Sequence, residues 1–140
     1  RIWYYIVATD GSGMTTTTTT HIYYADGTAP TIDNVTSPPS YLRTQDPLEL
    51  YCNVTDSVSV GGAVLEYNVT GGSWVPLTMT RLGSAGTTTQ FVATIPAIGS
   101  ATTVTYRVVA TDIAGNSRTS STQSYVVDPG PVFNWMKDGV

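Results

Sequence analysis

The chain has 140 residues, a formal net charge of −4 and only 11% charged residues, where an average soluble domain carries roughly 25%. Hydroxyls fill the deficit, with 25 Thr and 12 Ser beside five Arg, one Lys, one His and one Cys. Nucleic acid needs clustered basic side chains, a membrane span needs roughly 20 consecutive apolar residues, and a zinc site or a disulfide needs more Cys and His than these, so none of the four is expected.

Hydrophobic residues still make up 41%, with nine Tyr and three Trp, enough for a core. The branched Thr side chain packs well on a pleated surface and favours strands. The opening Arg1-Ile2-Trp3-Tyr4 already reads as the inside of a strand, so no signal peptide is expected.

The first segment returns near the end of the chain. Residues 1–26 align without gaps on residues 103–128, an offset of 102. Tyr4 falls on Tyr106, and Val7-Ala8-Thr9-Asp10 on Val109-Ala110-Thr111-Asp112. Gly13, Tyr23 and Asp26 fall on Gly115, Tyr125 and Asp128, and the alignment holds ten identities in 26 positions. Chance would give about two, so this is an internal repeat. The expected organisation is two strands ending one unit (1–26), a complete unit (27–128), and a linker with the first strand of a third (129–140). The window then holds part of a longer array.

Within the complete unit, 30–36 runs into Ser37-Pro38-Pro39 and suits an edge strand, because Pro cannot donate to a ladder. In 48–55, Leu48, Leu50, Cys52 and Val54 alternate with Glu49, Tyr51, Asn53 and Thr55, a half-buried strand. Gly61-Gly62 reads as a break. In 63–70, Ala63, Leu65, Tyr67 and Val69 share one face and Glu66 and Asn68 the other, before Gly71-Gly72 turns the chain. Segment 74–80 is a short strand interrupted by Pro76. After a turn at 83–86, segment 88–95 sets Phe91, Ala93 and Ile95 against Gln90, Val92 and Thr94. Segment 102–111 turns Val104, Tyr106, Val108 and Ala110 inward, 112–116 is turn chemistry, and 119–127 closes the unit. No 11-residue stretch has helical spacing. Seven short strands punctuated by turns predict an all-β sandwich.

Three runs carry a resemblance. Gly71-Gly72-Ser73-Trp74, then Phe91-Val92-Ala93-Thr94-Ile95-Pro96, then Val104-Thr105-Tyr106-Arg107-Val108-Val109-Ala110-Thr111-Asp112-Ile113-Ala114-Gly115-Asn116 together resemble a prokaryotic immunoglobulin-like or fibronectin type III-like repeat. The resemblance covers about 29–128 and the last two strands of the preceding copy. It implies an immunoglobulin-like antiparallel β-sandwich of the kind found in large extracellular proteins: surface-layer (S-layer) proteins, stalks, filaments, adhesins and accessory regions of secreted hydrolases. Such repeats space, assemble or adhere, and the fold alone does not choose among these.

Several residues stand out as candidate sites. Asn34, Asn53 and Asn68 each open an Asn-Val-Thr sequon, and a glycan needs an exposed Asn; with so much Thr, chance supplies one or two. The run Thr15–Thr20 reads as a turn leading into a strand, with O-linked sugar as the alternative. By the resemblance, the loops after the second and sixth strands face the preceding unit, which brings Asp56, Asp112 and Asn116 near linker Asp26 or Asp33. Clustered oxygens suit a structural Ca²⁺, the one cofactor in view, although Asp and Asn also bond their own backbone in turns. Cys52 reads as a buried free thiol.

Trp3, Tyr5, Tyr24 and Tyr51 fall outward and are interface candidates, since exposed aromatic patches mark contacts or sugar platforms. His21 has no partner pattern for a nucleophile, and Glu49 and Glu66 fall on outward faces. No catalytic residue and no enzymatic activity are expected. Two strands alone cannot bury a face, so residues 1–26 need a cover from a neighbouring repeat or from another copy, as in strand-complemented filaments. The chain is therefore read as a structural repeat of an extracellular, glycosylated surface or filament protein. Its expected partners are neighbouring repeats, copies of itself and surface glycans. The alternative is an adhesin or substrate-targeting module on a secreted hydrolase.

Overall fold

The computed structural model describes residues 1–130. The strand expected to begin a following repeat within 131–140 lies outside the described residues. Those residues form strands and turns and no helix. The first four strands are β1 (Ile2–Tyr4), β2 (Val7–Thr9), β3 (Thr15–Thr17) and β4 (His21–Tyr23). They are followed by β5 (Thr31–Asp33), β6 (Tyr41–Arg43), β7 (Leu48–Thr55), β8 (Val60–Val69) and β9 (Val75–Thr78). The chain continues through β10 (Thr80–Ala85), β11 (Thr88–Ile95), β12 (Thr102–Asp112), β13 (Ser117–Thr119) and β14 (Gln123–Asp128).

Strands β5 to β14 make a two-sheet sandwich. One sheet runs β10-β11-β7-β5, and the other runs β6-β14-β12-β8-β9 with β13 beside β12. Take β5, β7, β8, β10, β11, β12 and β14 as seven principal strands. The first, second, fifth and fourth then share one sheet and the third, sixth and seventh the other, which is the division of an immunoglobulin-like sandwich. All pairings are antiparallel except β6 on β14.

Period-2 alternation builds the core between the sheets. Leu50, Cys52 and Val54 of β7 and Phe91 and Ile95 of β11 face Leu65 of β8 and Val104, Tyr106, Val108 and Ala110 of β12, all buried. Burying an aliphatic or Phe side chain this fully is worth about 1.5–3 kcal/mol. Tyr106 sits at the centre, and its hydroxyl donates to the Thr36 carbonyl at 2.7 Å, with Gln123 Oε1 3.3 Å away. Burial raises the pKa of both Tyr106 and its neighbour Tyr125. The Cys52 thiol lies 3.9 Å from the Met79 sulfur, and burial pushes it up to about 11.

The strands depart from the sequence reading at five places. Gly61-Gly62 does not break the chain but lies inside β8. A bulge there brings backbone so close that a Cβ on Gly61 would stand 2.6 Å from the Asp112 carbonyl oxygen, so only glycine fits. Residues 80–85, expected to end in a turn, pair with β11 as β10, and Tyr41–Arg43 adds the parallel strand β6. The segment 119–127 is split into β13 and β14. Val69, assigned inward, is exposed at the end of β8, and Asn68, assigned outward, is buried.

Residues 1–26 form a separate hairpin in two short ladders. Ile2 pairs with Tyr23 and Tyr4 with His21; 102 residues on, Val104 pairs with Tyr125 and Tyr106 with Gln123. Val7 pairs with Thr17 as Val109 pairs with Thr119. The turns agree in the backbone amides that the aspartate binds. Asp10 Oδ1 accepts from the Ser12 and Met14 amides at 2.9 Å, and Asp112 Oδ1 from Ala114 and Asn116 at 2.8 Å. Gly13 and Gly115 close the two turns at φ 86° and 95°, a left-handed conformation that favours glycine. The repeat is thus structural as well as sequential.

Candidate functional site

Two places hold arrangements that an isolated sandwich does not need. The first is the hairpin face. Ile2, Tyr4, Ile6 and Tyr23 stand where Val104, Tyr106, Val108 and Tyr125 stand in the sandwich. Tyr4 is 49% exposed where Tyr106 is 0%, and Tyr23 is 58% exposed where Tyr125 is 3%. Tyr4 stacks on His21 at 5.4 Å between centroids, the cross-strand pair equivalent to Tyr106 and Gln123. Among the described residues no sheet covers this face, and apolar surface of this kind marks an interaction site.

The interface aromatics chosen from sequence stand elsewhere. Trp3 and Tyr5 are exposed on the opposite face of the same hairpin. Tyr24 is half-buried rather than free, because the Arg1 guanidinium lies 4.4 Å from the Trp3 ring and 5.9 Å from the Tyr24 ring. Tyr51 is exposed on the sandwich, as expected, and its hydroxyl is bound to Glu49, which raises its pKa. The face that includes Ile2, Tyr4, Ile6 and Tyr23 was missed, although the 102-residue offset onto core positions carried the signal.

The second place is one end of the sandwich. The core stripe Leu48-Leu50-Cys52-Val54 continues to Asp56, and the stripe Val104-Tyr106-Val108-Ala110 continues to Asp112. Each of two facing sheets therefore ends its apolar row in a buried carboxylate. Asp26 arrives from the linker between β4 and β5, and one carboxylate oxygen from each of Asp26, Asp56 and Asp112 lies within 4.8 Å of the other two.

Donors are unevenly shared in this cluster. Asp56 Oδ1 accepts from the Val58 and Ser59 amides at 2.9 and 2.8 Å. Asp112 Oδ2 accepts from Asn116 Nδ2 at 2.7 Å, and the same nitrogen donates to the Asp26 carbonyl at 2.8 Å. Burial pushes the Asp112 carboxyl up, but the bonds from the Asn116 side chain and the local backbone together outweigh it and hold the group below its ordinary value. Asp26 Oδ1 accepts from the Thr28 amide at 2.9 Å, whereas Asp26 Oδ2 is buried with no partner at all. Among the described residues the one ion pair is Arg107 with Glu66 at 2.7 Å, and none of the three aspartates has a cationic partner. A shallow groove lined by Thr28, Thr31, Thr55, Asp56 and Thr87 opens beside them.

Four of the five residues marked for Ca²⁺ thus converge, with Asn116 as a hydrogen-bonding neighbour. Asp33 does not join them. It is exposed on β5 opposite Asn53, two residues further from the acidic end than Thr31, which pairs with Thr55, and a strand advances about 3.3 Å per residue.

The sequons separate by burial. Asn34 is exposed in a left-handed conformation at φ 51°, and Asn53 is half-buried. Asn68 is 7% exposed, which corrects its reading as an accessible acceptor. Outward register did not mean exposure on this face, which also carries the Arg107–Glu66 pair, with Arg107 4.2 Å from the Trp74 ring. His21 is exposed and Cys52 is a buried free thiol.

No family model matches the sequence, and neither does any curated protein. Among solved structures, one similar chain comes from the study "Structural basis of T cell specificity and activation by the bacterial superantigen toxic shock syndrome toxin-1". It is 8% identical, covers 68% of this chain and 98% of its own length, and superposes with a TM-score of 0.40. A likeness this weak adds nothing to the sandwich already described. No helix among the described residues is long and apolar enough to cross a membrane.

Proposed function

We propose that the chain is a structural repeat module of an extracellular surface, stalk or filament protein. Its task is to space or polymerise, not to catalyse. One observation carries this reading: a hairpin that reproduces the closing strands of the sandwich in register and turn bonding, with its core face open. A sheet like that of β7 and β11 fits such a face, and a neighbouring repeat or another copy of the chain supplies one. The Thr- and Ser-rich outer faces and the exposed sequon at Asn34 support an extracellular, sugar-bearing setting.

Association of the full chain, followed by light scattering and electron microscopy, tests the reading. Ordered assembly that is abolished by Tyr4→Arg with Ile6→Arg is the expected result. A chain that stays monomeric at high concentration, with 1–26 protected from proteolysis, contradicts it. Glycan-array binding lost on Trp3→Ala or Tyr51→Ala would instead favour an adhesin or targeting module.

A further inference from the structure

We propose that Asp26, Asp56 and Asp112 form a Ca²⁺ site that pins the linker after the hairpin to the end of the sandwich. Two independent observations carry it. Three carboxylates converge within 4.8 Å with no basic side chain paired to them among the described residues. Separately, Asp26 Oδ2 is shut away from water with no donor facing it. A buried anionic oxygen without a partner is costly, and like charges beside it add repulsion. A cation at the centre removes both penalties.

The donors select the ion. All are hard oxygens, which suit Ca²⁺ or Mg²⁺ rather than zinc or copper. Ca–O distances are about 2.4 Å, so two oxygens on one Ca²⁺ are at most about 4.8 Å apart. Asp26 Oδ2 and the second oxygen of Asp56 accept no protein hydrogen bond from the described residues, and the groove beside Asp56 admits the waters that complete a shell. Mg²⁺ demands near-octahedral ligands and dehydrates reluctantly, whereas Ca²⁺ accepts an irregular set of six to eight. The ion would join β7 of one sheet, β12 of the other and the linker that sets the direction of the hairpin.

The test uses the full chain, stripped of metal and titrated with CaCl₂ by calorimetry, with melting followed in parallel. One Ca²⁺ per chain is expected, with Kd no weaker than the roughly 10⁻⁴–10⁻³ M of extracellular modules, and Tm should rise with Ca²⁺. MgCl₂ should bind at least about tenfold more weakly. Asp26→Asn should lower Ca²⁺ affinity at least about tenfold while the chain still melts cooperatively. Asp56→Asn, which keeps an acceptor for Val58 and Ser59, is a second arm with the same expectation. Asp33→Asn should leave affinity unchanged. The proposal is overturned if Ca²⁺ at about 10 mM, ten times the weak end of that range, neither binds nor shifts Tm. Equal affinity in Asp26→Asn and Asp56→Asn, or equal affinity for Mg²⁺, overturns it as well.

Discussion

Tyr4 and Tyr106 occupy the same position in two copies of one hairpin. The first lies open beside His21, and the second is sealed at the centre of a core. Register and the backbone amides bound by the turn aspartate are the same in both, while the side-chain donors differ: Ser12 on Asp10, Asn116 on Asp112. The difference is the presence of β7, β8 and β11 against the second copy. Pairing and turn geometry are therefore local properties of these 26 residues, and burial is not. A contact seen in one copy has no fixed energetic worth until the opposite sheet is in place.

The sharpest way to break the comparison is to truncate both tyrosines. Tyr106→Ala should cost the sandwich about 3–5 kcal/mol, as expected for deleting a large buried aromatic. Tyr4→Ala should change sandwich stability by less than about 0.5 kcal/mol, as at an exposed site. Urea unfolding of the dilute, unassembled chain, read on the sandwich transition, measures both, and equal losses would mean that the hairpin face is covered within the chain itself.

Two smaller effects sharpen what the complete copy adds. Gly61→Ala should cost about 1–3 kcal/mol, because its Cβ would meet the Asp112 backbone and that neighbour cannot give way. Cys52→Ser leaves a hydroxyl in an apolar core and should cost about 1–3 kcal/mol in thermal melts. Cys52→Val should stay within about 1.5 kcal/mol. With its pKa near 11, the Cys52 thiol should also resist alkylation at pH 8 until the sandwich unfolds.

The smallest effect belongs to the open copy. Hydrogen bonds from the Ser12 side chain and from the Met14 and Ser12 amides hold the Asp10 carboxyl below its ordinary value of 3.8. A carboxylate with a depressed folded pKa stabilises the turn above its unfolded pKa, and that support fades as pH falls through the folded value. The Asp10 carboxyl resonance should therefore titrate below 3.8, and the Ser12 and Met14 amides should lose protection over the same interval. A midpoint at or above 3.8 would contradict the turn geometry.

Much of the fold was legible. Strict alternation in 48–55 and 102–111 placed β7 and β12 and their inward faces, since a period of two leaves one way to bury the apolar row. Glycines misled in one place, because Gly61 allows a close approach inside β8 rather than a turn. Asn68 misled for a different reason: alternation tells which face a residue takes, not what folds over that face. The short β6 had no periodic signal, since three residues on a sheet edge carry too few positions to alternate. Of the acidic end, Asp56, Asp112 and Asn116 were brought together only by what the resemblance implies about the loops after the second and sixth strands. The orphaned oxygen of Asp26 had no sequence signal.

By itself the sequence determined the repeat, its 102-residue offset, the all-β pattern and the turn chemistry at 112–116. These follow from side-chain type at short range. Only the tertiary structure decided which copy of the hairpin is buried, that Asp26 joins Asp56 and Asp112 while Asp33 does not, and that Asn68 is covered. Those outcomes depend on which sheet or linker arrives from far along the chain.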